Sequence, residues 1–221
     1  MSEDVKTRRR YVSRRRQEQA ARTRQDILSA AGGLFREQGY GATSMPRIAA
    51  EAGVVVETIY RIFGSKAGLF RSVMEAVLAG GASRAEVPVE ERPAIRAVID
   101  EPDPRRQIEL YTATHRGIHR RAGPLLRALR GGVASDPELR ALWDEMEAWR
   151  LEGQGRFVDM LARRGRLRQG LSVDDARDVL WTLCSLAVHD LLVVERGWTS
   201  GQFQAWLTAA LTRELLPDTP A

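Results

Sequence analysis

A single cysteine, Cys184, leaves no partner for an intrachain disulfide and no set of thiolates for a structural zinc site. On a helix its simplest role is that of a small buried apolar residue. Long apolar runs are missing too: the greasiest stretch, Leu186 to Val194, is interrupted by His189 and Asp190, and a membrane span needs roughly 18 uninterrupted residues. The Arg-rich N-terminus has no apolar segment behind it and does not read as a secretory signal, so a cytoplasmic protein without a membrane partner is expected. No run of alternating β-branched residues suggests a strand, and no internal repeat is evident. There is no phosphate-cradling glycine loop, nucleophile elbow or redox cysteine pair. Neither an enzyme nor a cofactor is expected.

Hydrophobic residues make up 43% of the chain and charged residues 29%, the balance of a globular protein with a real core. The net charge of +5 is unevenly placed. Residues 1–70 hold 13 Lys/Arg against 7 Asp/Glu, while residues 71–221 hold 21 against 22. The excess of positive charge, and with it the expectation of a polyanionic partner, belongs to the N-terminal third.

Apolar residues recur at three- and four-residue spacing almost throughout, so the fold class is all-α. Residues 1–16, rich in arginine, are expected to form a flexible basic arm that binds phosphates or enters the minor groove. A helix is expected from about Gln17 to Gln38, with Ile27, Ala31, Leu34 and Phe35 on its inner face and Gly39 at its end. Another begins at Ser65 and stops at Gly80 and Gly81. Residues 83–93 have linker composition, and Pro93, Pro102, Pro104, Pro124 and Pro137 read as helix starts rather than interiors. A long helix follows Asp136. Two closing helices, about Val173 to Arg196 and Gly201 to Leu216, take Ser172 and Ser200 as N-caps. The first is apolar on nearly every side from Val179 to Val193, which calls for cover by a second subunit.

The segment Met45–Gly64, MPRIAAEAGVVVETIYRIFG, has the layout of a helix-turn-helix. Ile48 and Ala52 face inward, small Ala49 lets the next helix cross closely, and Gly53 supplies the positive φ of a tight turn. Val54, Ile59 and Ile62 complete its core. With its flanks the run Thr23–Leu69 resembles the TetR family of regulators. The resemblance is carried by Ile27-Leu28, Ala30-Ala31, Leu34-Phe35, Gly39-Tyr40, Thr43-Ser44, Ile48-Ala49, Ala52-Gly53-Val54, Thr58-Ile59-Tyr60, Phe63 and Ser65-Lys66. It implies a three-helix DNA-binding head, residues 17–66, and a helical ligand-binding and dimerisation domain, residues 67–221. It also implies that the last two helices pair across a dimer, and that a small-molecule ligand changes the spacing of the heads and releases DNA, as in a repressor.

In a helix-turn-helix the N-terminal part of the second helix enters the major groove, which places Val55, Val56, Glu57 and Arg61 at base edges. Arg61 suits a bidentate guanine contact, and the two valines suit thymine methyls. Glu57 either accepts from a cytosine amine or braces Arg61 one turn on. The resemblance implies phosphate contacts for Thr58, Tyr60 and Lys66. Ser44 caps the first short helix and turns its amides toward a phosphate. Arg47 is either another DNA contact or an ion-pair partner of Glu51. A homodimer with two such helices recognises double-stranded DNA as an inverted repeat.

For the ligand, Tyr111, His115, Trp143, Met146 and Trp181 are candidate pocket residues, with ordinary core as the competing reading. His115 and His119 have the spacing of two zinc ligands on one helix face. A metal sensor or metal-dependent enzyme is therefore the alternative, although HRGIH lacks the glutamate of the zinc-protease motif and a third ligand is not evident.

Overall fold

The computed structural model describes residues 2–134 and 136–218, with side chains described from residue 15 onward except at 82 and 83. Among these residues every regular element is helical. Helix α1 (Ser2–Ala42) is straight until Gly39, where φ of 81° ends the regular run after Gln38 as expected. It is continuous through Gln17, where the sequence placed its start. The expected basic arm is not set apart from this helix: residues 2–16 are its first turns, with Met1 outside the described residues, and of their side chains only those of Arg15 and Arg16 are described, both exposed. Beyond the kink, Thr43 donates its hydroxyl to the carbonyls of Gly39 (2.8 Å) and Leu34 (3.3 Å), folding the chain back on α1.

Helix α2 (Met45–Ala52) packs on α1, and helix α3 (Val56–Phe63) packs on α2 and the helix that follows; α2 and α3 are joined by Gly53, in the left-handed conformation at φ 65°, ψ 34°. The amide of Val54 donates to Ala49 O at 3.0 Å, closing the turn. Helix α4 (Lys66–Ala79) starts at Ser65, whose Oγ accepts from the Gly68 amide at 3.0 Å, and stops at Gly80. The expected linker is largely structured: it holds the short α5 (Ala82–Ala85) and a 3-10 turn, Val89–Glu91, before α6 (Pro93–Asp100).

Helices α7 (Pro104–Arg130) and α8 (Pro137–Arg163) start on prolines, capped by Asp103 and Asp136. Pro124 departs from expectation, for α7 runs straight through it. A proline inside a helix costs about 3 kcal/mol, and burial of neighbouring Ala122, Leu125 and Leu129 offsets it, a buried leucine contributing about 1.5–3 kcal/mol. The two helices run antiparallel: Tyr111 stacks on Phe157 at 3.9 Å, and Arg130 lies 5.9 Å from the ring of Trp143.

The helix expected from Val173 to Arg196 is not continuous. Helix α9 (Val173–Leu183) ends at Cys184; Ser185 caps a short α10 (Leu186–His189) by accepting from Val188 N at 3.2 Å, and a π turn, Asp190–Glu195, follows. A serine that bonds its own backbone competes with helix continuation, and periodicity cannot register that. Helix α11 (Ser200–Leu215) is capped by Thr199, not Ser200: Thr199 Oγ1 accepts from Gln202 N at 3.2 Å, and Gln202 Oε1 accepts from Thr199 N at 2.9 Å. The capping box needs its glutamine three residues on, which selects Thr199.

Two apolar cores result. The first joins α1–α4 to the end of α7 (Ala122, Leu125, Leu129) and the start of α8 (Leu139, Leu142, Met146). The second is built by α6, the start of α7, the end of α8, α9 and α11 around Ile108, Tyr111, Phe157, Leu161, Leu180 and Phe203.

Candidate nucleic-acid interface and buried polar site

Helix α3 is anchored by Ile59, fully buried in the first core, with Ile62 and Phe63 packed beside it. Its other face is open. Val55 is 65% exposed and Tyr60 49%, and Glu57 and Arg61 are exposed as well. Val56 and Thr58 are half-buried, Val56 against the core. An eight-residue helix with an apolar floor and this polar, aromatic and cationic roof is shaped to enter a groove by its roof. Ser44 is exposed, and its Oγ accepts from Arg47 N at 3.3 Å, capping α2. Exposed Arg47 and Glu51 line an open groove between α1 and α2 together with Asp26 and Glu37.

Lys66 is partly engaged within the head. Its Nζ sits 4.3 Å from the centre of the Tyr40 ring and 3.5 Å from Gly41 O, and burial lowers its pKa from the ordinary lysine value. Arg24, which sequence reasoning missed, lies 4.8 Å over the Phe63 ring, with Nη2 3.5 Å from Ser72 Oγ. No local pattern announces a contact between residues so far apart in the chain.

Of the pocket candidates, Tyr111 and His115 come together, ring centres 4.6 Å apart. Trp143 and Met146 join the first core beneath the head. Trp181 is 38% exposed under the guanidinium of Arg150, which lies 4.5 Å from its ring and donates to Trp181 O at 2.6 Å.

His119 stands 6.2 Å from His115, 4.4 Å from His189 and 5.8 Å from Phe203, measured between ring centres. Burial depresses the pKa of His115 to about 4 and, with His115 and His189 nearby, that of His119 to about 3, so both rings are neutral at physiological pH. His119 Nε2 bonds Cys184 O at 3.2 Å, and His189 Nδ1 pairs with Asp190 at 3.0 Å. Arg127 grips the same Asp190 with two nitrogens at 2.7 and 2.9 Å. Burial works to raise the Asp190 pKa, but the bonds from Arg127 and His189 outweigh it and hold the carboxyl below its ordinary range. Among the described residues no group of three or more His, Cys, Asp or Glu side chains is arranged to hold a metal ion, so the geometry gives the metal reading no third ligand. Cys184 is buried, and burial pushes its thiol up to about 12, as suits a small core residue. Sequence reasoning missed His189, Phe203 and Gln154. Gln154 left a trace, being the polar member of the inner stripe it shares with Phe157, Val158 and Leu161.

A helix-turn-helix head with an open recognition helix, packed on a larger helical body, defines a DNA-binding transcription regulator. Residues 27–73 match the family described as bacterial regulatory proteins, tetR family. The HTH-type transcriptional repressor BepR of Brucella suis is 26% identical over 191 residues, spanning 84% of this chain and 88% of its own. The regulator AcrR of Shigella flexneri is 41% identical over 64 residues, 29% of this chain and 30% of that one. Among solved structures, native NalD, the secondary repressor of the MexAB-OprM multidrug efflux pump in Pseudomonas aeruginosa, superposes with a TM-score of 0.66 at 25% identity, covering 90% of this chain and all of its own. Residues 27–73 thus form a DNA-binding domain of the tetR family, and the likeness to BepR and NalD extends over most of the chain. Among the described residues no helix is long and apolar enough to cross a membrane.

Proposed function

We propose that this regulator is a repressor that binds an inverted-repeat operator as a homodimer and is released by a small-molecule ligand held in its helical domain. The observation that carries the reading is the split character of α3, with buried Ile59 fixing its orientation and exposed Val55, Glu57, Tyr60 and Arg61 presented together. In this reading residues 17–66 are the head and 67–221 the sensor and dimer body, while the arm over residues 1–16 adds phosphate contacts. Ser44, Thr58, Tyr60 and Lys66 fix the register on phosphates; Val55, Val56, Glu57 and Arg61 read bases, and Arg47 stands at their edge.

Release is supported by how the head is tied down. Tyr40 and Arg71 reach from the head and α4 to Glu138 and Glu145 on α8, and the two bodies share the first core. A ligand that displaces α7 or α8 therefore moves the head with them. Dimerisation is supported by the open apolar face at Trp181, Leu191 and Val194, the last two 52% and 60% exposed. The repressor sense is supported by the BepR and NalD likenesses. Selection of bound fragments from genomic DNA tests the reading: a single two-fold symmetric motif is expected, with flanking genes that indicate the ligand. Recovery of fragments without any shared motif overturns it.

A further inference from the structure

Among the described residues, the second core contains polar atoms that find no hydrogen-bond partner. His119 Nε2 faces the carbonyl of Cys184 at 3.2 Å, and a carbonyl only accepts, so Nε2 carries the proton and Nδ1 is left with a lone pair. That Nδ1 is buried without a partner. Both amide atoms of Gln154, a residue 2% exposed, are buried without a partner as well. Native proteins rarely tolerate such atoms, since each unmatched group costs about 1–3 kcal/mol, and a cluster of them calls for a functional account.

The helix register brings these residues to neighbouring levels of the bundle. Antiparallel α7 and α8 meet at Tyr111–Phe157 and again at Arg130–Trp143, so the turn after Tyr111, at His115, lies level with Gln154, one turn before Phe157. His119 is one turn further along the same face. The surroundings are aromatic: the Tyr111–Phe157 stack, the His115 ring, and His189 and Phe203 against His119. No charge there is free. Asp190 is held by Arg127 and His189, and Arg150 by Glu147 and Trp181 O. A π turn begins immediately after His189, and such turns are common at functional sites.

We propose that His119 Nδ1 and the Gln154 amide are the polar contacts of the effector site, and that the effector is an uncharged aromatic compound carrying a hydroxyl or amide N–H. The proposal rests on the reading of the helical body as a ligand sensor and specifies what it senses. His119 accepts the ligand's proton donor, Gln154 bonds a second polar atom, and the ring systems stack on the ligand's faces. The neutral His115 and His119 rings and the paired ions offer no counter-charge, so a carboxylate, phosphate or ammonium entering here would be desolvated without compensation.

The test screens the full-length protein by ligand-observed NMR against aromatic fragments in four matched sets: neutral with a hydroxyl or amide N–H, neutral without one, anionic, and cationic. Binding is expected to concentrate in the first set and to weaken about tenfold or more in Gln154→Met and His119→Phe, and in protein-observed spectra of nitrogen-labelled protein to move the imidazole signal of His119 Nδ1. The melting temperature of free Gln154→Met is expected to hold or rise, because an unmatched buried amide is removed. Hits spread across the charged sets, an empty first set, affinities untouched by Gln154→Met, or a lowered melting temperature in that variant would each overturn the proposal. The wild-type His119 signal keeps the test decisive if His119→Phe does not fold. A footprint on the selected operator, taken with the same preparations, separates the outcomes: an intact footprint with the wrong ligand class defeats only this inference, whereas no footprint defeats the regulator reading.

Discussion

Tyr40, just beyond the kink at Gly39 in α1, donates its hydroxyl to Glu138 Oε1 at 2.9 Å, joining the DNA-binding head to the first turn of α8. The ring of Tyr40 is buried against Phe35 and Phe70, and Lys66 covers it from outside. Burial and the neighbouring Glu138 carboxylate raise its pKa far above the ordinary tyrosine range, so the phenol remains a donor at every working pH. Tyr40→Phe removes this bond and keeps the ring. Because Glu138 is exposed and water can replace the donor, the expected loss is only about 0.5–1.5 kcal/mol, read as a shift in the urea midpoint. The same variant is expected to blunt the release of operator by ligand; undiminished release would remove Tyr40 from the coupling.

Two exposed residues of α3 are expected to fail differently. Tyr60→Phe weakens binding by a similar factor on every DNA sequence, because a phosphate contact positions the head without reading bases. Arg61→Ala relaxes preference at one symmetric position per half-site, at a cost of about 1–3 kcal/mol. Binding matrices measured for wild type and both variants separate the roles. An unchanged matrix in Arg61→Ala would strike it from the readers, and a sequence-confined loss in Tyr60→Phe would contradict its phosphate role.

The buried imidazoles make stability depend on acid. His115 falls to about 4 and His119 to about 3 in the folded protein, against an ordinary 6.5, so below pH 6.5 the unfolded chain takes up protons that the folded chain refuses. Stability present at neutral pH is therefore lost as pH falls from 6.5 toward 4 for His115 and toward 3 for His119. The limiting slope is about 1.4 kcal/mol per pH unit for each histidine. Urea melts across this range are expected to show the decline, flattened in His115→Phe. Equal pH slopes for wild type and variant would contradict it.

Leu191→Asp places a charge on the π turn at a side chain 52% exposed in the single chain. In a monomer that change is nearly free; in a dimer it buries an unpaired carboxylate. The variant is expected to sediment as a folded monomer and to lose the operator. A variant that still sediments as a dimer on operator DNA would place the interface elsewhere.

The head was legible almost to the residue because its signals are local. Gly39 and Gly53 hold positive φ where the sequence asked for it, and Ile27, Ala31, Ile48 and Ile59 are buried on the faces their spacing defined. The second body was legible in its long helices but not in its breaks. Pro124 is carried inside α7 by tertiary burial, and Ser185 and Thr199 act as caps through hydrogen bonds that a hydrophobic period does not encode. His119 stood out only as a spacing with His115. Its orphaned nitrogen emerges from where Cys184 O lies, 65 residues away in the chain.

The most direct test of the account is sedimentation of the full-length protein with its selected operator and with an isolated half-site. The account predicts a dimer that binds the whole operator tightly, with half-site centres about one helical turn or a multiple apart, and binds the lone half-site far more weakly. Tight binding of a single half-site by a monodisperse wild-type monomer would contradict it.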